Sequence, residues 1–120
     1  MGAWAISLGK GIKVWAWPGS ITTLALCFDA KIEKKSKAIE EAILAEHQYC
    51  HAVGTWHLDN FAIDDWVAVD RVLNDLIEQV KTKEMADLPP YIQDLAPWFH
   101  IRFGINLGQF HEAVHLRMRK

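Results

Sequence analysis

The pattern that most constrains this chain lies near its end. Residues 98–107 read WFHIRFGINL, so Phe99, Ile101, Phe103, Ile105 and Leu107 alternate with His100, Arg102, Gly104 and Asn106. A period of two puts alternate side chains on opposite faces of a strand. After the turn signal NLGQ, Phe110, Val114, Leu116 and Met118 keep the alternation, with Glu112 as the exception. The spacing therefore predicts two C-terminal strands. A helix competes over the second segment, because Leu107, Phe110, Val114 and Met118 also form a stripe of helical period.

The choice decides the chemistry, because the second segment contains HEAVH, His111 to His115. In H-E-x-x-H the two histidines hold zinc and the glutamate is a general base, provided the motif is helical. On a helix, residues four apart lie about 6 Å apart on one face. On a strand they are about 13 Å apart and cannot share an ion. Only Leu-Arg-Met-Arg-Lys follows the motif, with no further ligand type. The strand reading separates the histidines, so no metal, no cofactor and no enzymatic activity are expected. A zinc-dependent hydrolase using HEAVH would need a helix at 110–116 and a ligand from upstream.

The rest of the chain supports a mixed fold. Trp4, Ile6, Leu8, Ile12 and Val14 alternate around Gly9-Lys10-Gly11, a hairpin signal. Pro18-Gly19-Ser20 reads as a second turn. ITTLALCF, residues 21–28, is β-branched and apolar on both faces, which predicts a central strand. A helix is expected over 31–53, with Asp29 as N-cap and Gly54 as its stop. A second fits 64–83, with Trp66, Val69, Val72, Leu73, Leu76, Ile77 and Val80 as its buried stripe. The expected architecture is one α+β domain spanning 1–120. It has two layers, a five-stranded mainly antiparallel sheet with two helices on one face, in the order β-β-β-α-α-β-β.

A second histidine group, His47, Cys50 and His51 with His57 nearby, reads as a solvated helix shoulder. Cys27 and Cys50 read as two buried thiols, not a disulfide framework. The apolar start is broken by Pro-Gly-Ser, unlike the continuous core of a signal segment, and no stretch is long enough to span a membrane. A cytoplasmic protein is expected.

Charge is uneven. Residues 1–28 hold two lysines and no acid; 29–97 hold seven Lys and Arg against fourteen Asp and Glu; 98–120 hold four basic residues against one acidic. The predicted strands are thus basic and the helices acidic. On the five-stranded sheet, the face turned from the helices would carry Lys13, Trp15, Trp17, His100, Arg102, His111, His115 and Arg117. Tryptophan and arginine suit interface anchors, so the expected function is non-enzymatic binding through this face, by self-association or with a protein partner. The alternatives are a small anionic or aromatic ligand on the same face, and single-stranded nucleic acid stacked on Trp15 and Trp17. The acidic total counts against nucleic acid.

Overall fold

A computed structural model describes residues 4–49, 54–82 and 97–119. The chain opens with strands β1 (Ala5–Gly9) and β2 (Ile12–Trp15), followed by helices α1 (Pro18–Lys31) and α2 (Lys37–Tyr49). Strand β3 (Thr55–His57) and helices α3 (Ile63–Thr82) and α4 (Pro97–Met118) complete it. The sheet order is β2-β1-β3, with β1 antiparallel to β2 and parallel to β3. The hairpin turn needs left-handed backbone at Gly9, Lys10 and Gly11, with φ of 85°, 54° and 76°. Glycine adopts this conformation without steric cost.

The five-stranded, mainly antiparallel sheet with two helices is therefore corrected to a three-stranded mixed sheet with four helices, in the order β-β-α-α-β-α-α. ITTLALCF is not a strand but the body of α1. Ile21, Leu24, Ala25, Cys27 and Phe28 are all buried, as is Ser20. A helix apolar around its circumference is a central helix, and periodicity alone does not separate it from a buried strand. Pro18 sits in its first turn, where the missing N–H costs nothing. Thr22 and Thr23 donate their hydroxyls to the carbonyls of Pro18 and Gly19, four residues back. The helix expected over 31–53 is interrupted after Lys31. It restarts at Lys37 behind Ser36, whose Oγ accepts the Ile39 N–H at 3.2 Å.

The two C-terminal strands are likewise one helix, α4. Of the alternating set, Phe103 and Leu107 are fully buried, whereas Ile101 and Ile105 are 65% and 56% exposed. Burial follows the i, i+4, i+7 rhythm through Phe103, Leu107, Phe110 and Val114, all four at 0%. Each such side chain contributes about 1.5–3 kcal/mol, so this stripe outweighs the local alternation. Asn106 fixes the helix against α1: its Oδ1 accepts the Trp17 N–H at 3.2 Å, at the start of α1.

Helix α3 takes the expected stripe, with Trp66, Val69, Val72, Leu73 and Leu76 buried. Asp65 reaches back to accept the Ala62 N–H at 2.9 Å and caps its start. Lys31 pairs with Asp75, joining the end of α1 to α3. Trp56 in β3 donates Nε1–H to the Ala42 carbonyl of α2 at 2.9 Å and stacks on Phe28. Among the described residues, no helix is long and apolar enough to cross a membrane.

Helices α3 and α4 approach closely at Gly104, where an added Cβ would stand 3.1 Å from Val80 Cγ1. Gly104→Val should therefore push α4 away from α3 and destabilise the protein by about 1–3 kcal/mol in urea unfolding. An unchanged urea midpoint would contradict this packing.

Cys27 gives a second test. Burial pushes its thiol from 9.0 up to about 12, with Lys31 opposing part of the rise. Between those two values the folded protein keeps a proton that the unfolded chain releases. Stability from this group is therefore complete below the unfolded pKa and is lost as pH rises toward the folded one. The loss should reach about 1.4 kcal/mol per pH unit at most. Urea midpoints of the wild type should fall more steeply between pH 9 and pH 11 than those of Cys27→Ala. Parallel profiles would contradict the buried thiol.

Candidate metal centre

The helical state of 110–116 places both histidines of HEAVH on one shoulder of α4. Phe110, Val114 and Ala113 face the core, while His111 and His115 flank them on the side packed against α3. Their rings lie 4.4 Å apart, centroid to centroid. Asp70 sits beside the buried stripe of α3, next to Val69, and projects between the two rings. Its Oδ1 stands 3.0 Å from His111 Nε2 and 2.7 Å from His115 Nε2. Its other oxygen, Oδ2, accepts from Asn74 Nδ2 at 3.3 Å, one turn along α3. One carboxylate oxygen is thus held from behind, and the other faces both imidazoles.

The two His–Asp contacts are not equivalent. The His115 contact is a hydrogen bond. His111 Nε2 is buried and makes no hydrogen bond of sound geometry, although the same oxygen is only 3.0 Å away. A hydrogen bond fails when its donor points away from the acceptor, even at a short distance. His115 Nε2 and Asp70 Oδ1 thus pair, and His111 Nε2 stands beside them without a hydrogen bond. All three ligand atoms lie within 4.8 Å of one another.

These distances suit a tetrahedral cation. Ligand bonds of 2.0–2.2 Å to zinc imply ligand atoms about 3.3 Å apart. The contacts of 2.7 and 3.0 Å to Asp70 would open by about 0.6 and about 0.3 Å to reach that spacing. Asp70 and His111 side chains are 23% and 25% exposed and His115 is 46% exposed, so the point of convergence is open on one side. Beside the two histidines lies a depression of about 340 Å³, lined by His111, Glu112, His115, Leu116 and Arg119, all from α4. Glu112 lies roughly 60° around the helix from His115. The second requirement set by the sequence is a ligand from upstream of the motif, and Asp70 is the residue placed to supply it.

The residues expected to share one sheet face fall in four places. Lys13 and Trp15 lie on β2, with Lys13 Nζ 5.9 Å from the Trp15 ring and Trp15 70% exposed. Trp17 is half-buried beneath the Arg102 guanidinium, 4.4 Å from its ring centre. His111 and His115 meet Asp70. Arg117 donates Nε–H to the Leu8 carbonyl of β1 at 2.8 Å, tying the end of α4 to the hairpin. The side chain of His100 lies outside the described residues. Of the second histidine group, His47 is exposed on α2 and His57 pairs with Asp59 at 3.4 Å, while Cys50 and His51 lie outside the described residues.

Asp70 is the residue that sequence reasoning missed. It sits 41 positions before His111 in an acidic helix, one carboxylate among many. Its only local signal is its place at the shoulder of the α3 stripe, where a side chain can reach a neighbouring helix. No family model, no curated protein and no solved structure matches this chain, so the functional reading rests on the geometry of this site.

Proposed function

We propose that the chain is a metal-dependent hydrolase, with Asp70, His111 and His115 holding a zinc-class divalent ion and Glu112 acting as general base. The observation that carries this reading is the convergence of three ligand atoms from two helices within 4.8 Å. Two imidazoles and a carboxylate are a borderline donor set that suits zinc and its first-row neighbours. Three protein ligands leave a coordination position free, as in catalytic zinc sites; structural sites use four.

A bound ion of this kind supplies a Lewis acid and lowers the pKa of water toward neutrality. Asp70 brings one negative charge to the ion, oriented by Asn74. Glu112 borders the same depression and is exposed, so its carboxylate is free to take a proton from water there. Arg119, on the rim, offers positive charge to an oxygen that becomes anionic during attack.

The interaction reading has a narrower basis. Trp15 beside Lys13 is an exposed aromatic of the kind found at interfaces. The arginines expected to join it are engaged elsewhere, on Trp17 and on the Leu8 carbonyl.

Equilibrium dialysis should find one zinc per chain. Asp70→Ala, His111→Ala and His115→Ala should each weaken binding by 100-fold or more. Glu112→Gln should keep the zinc but slow zinc-dependent hydrolysis of p-nitrophenyl acetate by roughly 100- to 10,000-fold. Zinc at 100 times its Kd should raise the unfolding free energy by about 2.7 kcal/mol. Zinc binding that survives all three ligand substitutions, or hydrolysis indifferent to Glu112→Gln, would overturn the reading.

A further inference from the structure

The depression at the metal centre does not end at its own walls. On one side it shares Glu112 and Leu116 with a second depression, of about 330 Å³, that runs between α4 and strand β2. That side carries exposed apolar surface from Trp15 and Leu116, 70% and 53% exposed, with Ile12 and Ala113 among its walls; Lys13 and Gln109 line it too. On the other side the metal depression shares Arg119 with a third, of about 250 Å³, which also holds Lys10 and Arg117. The three form one surface track, with Trp15 and Lys13 at one end, the candidate metal site in the middle, and Lys10, Arg117 and Arg119 beside Phe61 and Ile63 at the other.

Charge along the track sharpens this asymmetry. A divalent ion at the centre would be balanced by Asp70 and Glu112. Of the four cations that line the track, Lys10, Arg117 and Arg119 lie at one end, among Phe61, Ala62, Ile63 and Met118, and Lys13 lies at the other, 5.9 Å from the Trp15 ring. The Nε of Arg117 is committed to the Leu8 carbonyl, which fixes the guanidinium beside the hairpin. Guanidinium groups recognise carboxylates through paired N–H donors. An exposed tryptophan beside an exposed leucine is an apolar surface that gains by being covered.

We propose that the substrate is an N-acyl amino acid unit: an amide with an apolar or aromatic acyl group on one side and a free carboxylate on the other. This rests on the metal-dependent hydrolase reading. The acyl group lies along Trp15 and Leu116, the amide over the metal centre, and the carboxylate on Arg119 with Lys10 and Arg117. Water adds its oxygen to the acyl carbon and gives a proton to Glu112. The C–N bond then breaks, and the proton passes to the leaving nitrogen. One amide and one water give one carboxylate and one amine, with no oxidation or reduction. The same unit occurs in a free N-acyl amino acid and at the C terminus of a peptide.

The test uses the full chain loaded with zinc, its stoichiometry measured first. N-benzoylglycine should be hydrolysed with a kcat/KM at least tenfold above that of its carboxamide. Arg119→Gln should bring that ratio to within about twofold of one. Trp15→Ala should lower kcat/KM for N-benzoylglycine more than for N-formylglycine. Binding without turnover gives an independent readout. N-benzoylglycine should quench tryptophan fluorescence of zinc-loaded Glu112→Gln, and adding Arg119→Gln should weaken that binding at least fivefold. Turnover of benzoyl-glycyl-glycine as well would assign a peptide C terminus, and turnover of N-benzoylglycine alone a free N-acyl amino acid.

If zinc binds and p-nitrophenyl acetate is hydrolysed, but carboxylate and carboxamide react equally, this proposal fails and the hydrolase reading stands. The proposal fails in the same way if the preference survives Arg119→Gln, or if a phosphate monoester is cleaved and the amide is not. A chain that binds no zinc overturns both.

Discussion

Asp70 and the two histidines of HEAVH belong to different helices, and the site exists because α4 lies close along α3. That approach depends on the fully buried stripe of Phe103, Leu107, Phe110 and Val114, which sets the rotation of α4 about its axis. It depends also on Gly104, which lets α4 come within reach of Val80. With the rotation set by the core, His111 and His115 are carried to the α3 side and Glu112 toward solvent. A rotation of one residue, about 100°, would take both imidazoles away from Asp70. The polar site is thus positioned by apolar packing, as sites on rigid elements commonly are.

The same rotation explains why neighbouring residues of one helix border different environments. Arg117 turns toward the hairpin and is held on the Leu8 carbonyl, while Arg119 stands at the rim of the metal depression. Leu116 and Glu112 face outward and join the depressions on the two sides of the helix. Core-facing residues fix α4, its α3 flank carries the two histidines beside Asp70, and its outward face is exposed. The hairpin contributes from the other chain end: its tight glycine turn presents Lys10, and β2 presents Trp15.

Part of this was legible in the residues. The stripe of α3 and the Gly-Lys-Gly hairpin carry unambiguous periods and turn signals, and both formed as expected. The alternation at 99–107 misled because Ile101 and Ile105 are apolar yet exposed, so the chain bears two periods at once and only tertiary burial chooses between them. Residues 21–28 misled for the opposite reason: a helix that is apolar nearly all round, with Leu26 its one exposed position in this stretch, has no polar face to reveal its period, and the signal that remained was Pro18 at its start. The HEAVH motif was visible, but the carboxylate that meets its histidines was not. Asp70 lies in a helix rich in carboxylates, and only the packing of α3 on α4 distinguishes it from Asp64 or Asp75.

The central claim is that His111 and His115 act together as ligands, apart from the other histidines. Imidazole 15N chemical shifts of the uniformly labelled protein test this directly. One equivalent of zinc should move the Nε2 resonances of His111 and His115 together, in slow exchange, and leave His47 and His57 in place. Zinc shifts spread evenly over all the histidines, or confined to residues other than His111 and His115, would contradict the account.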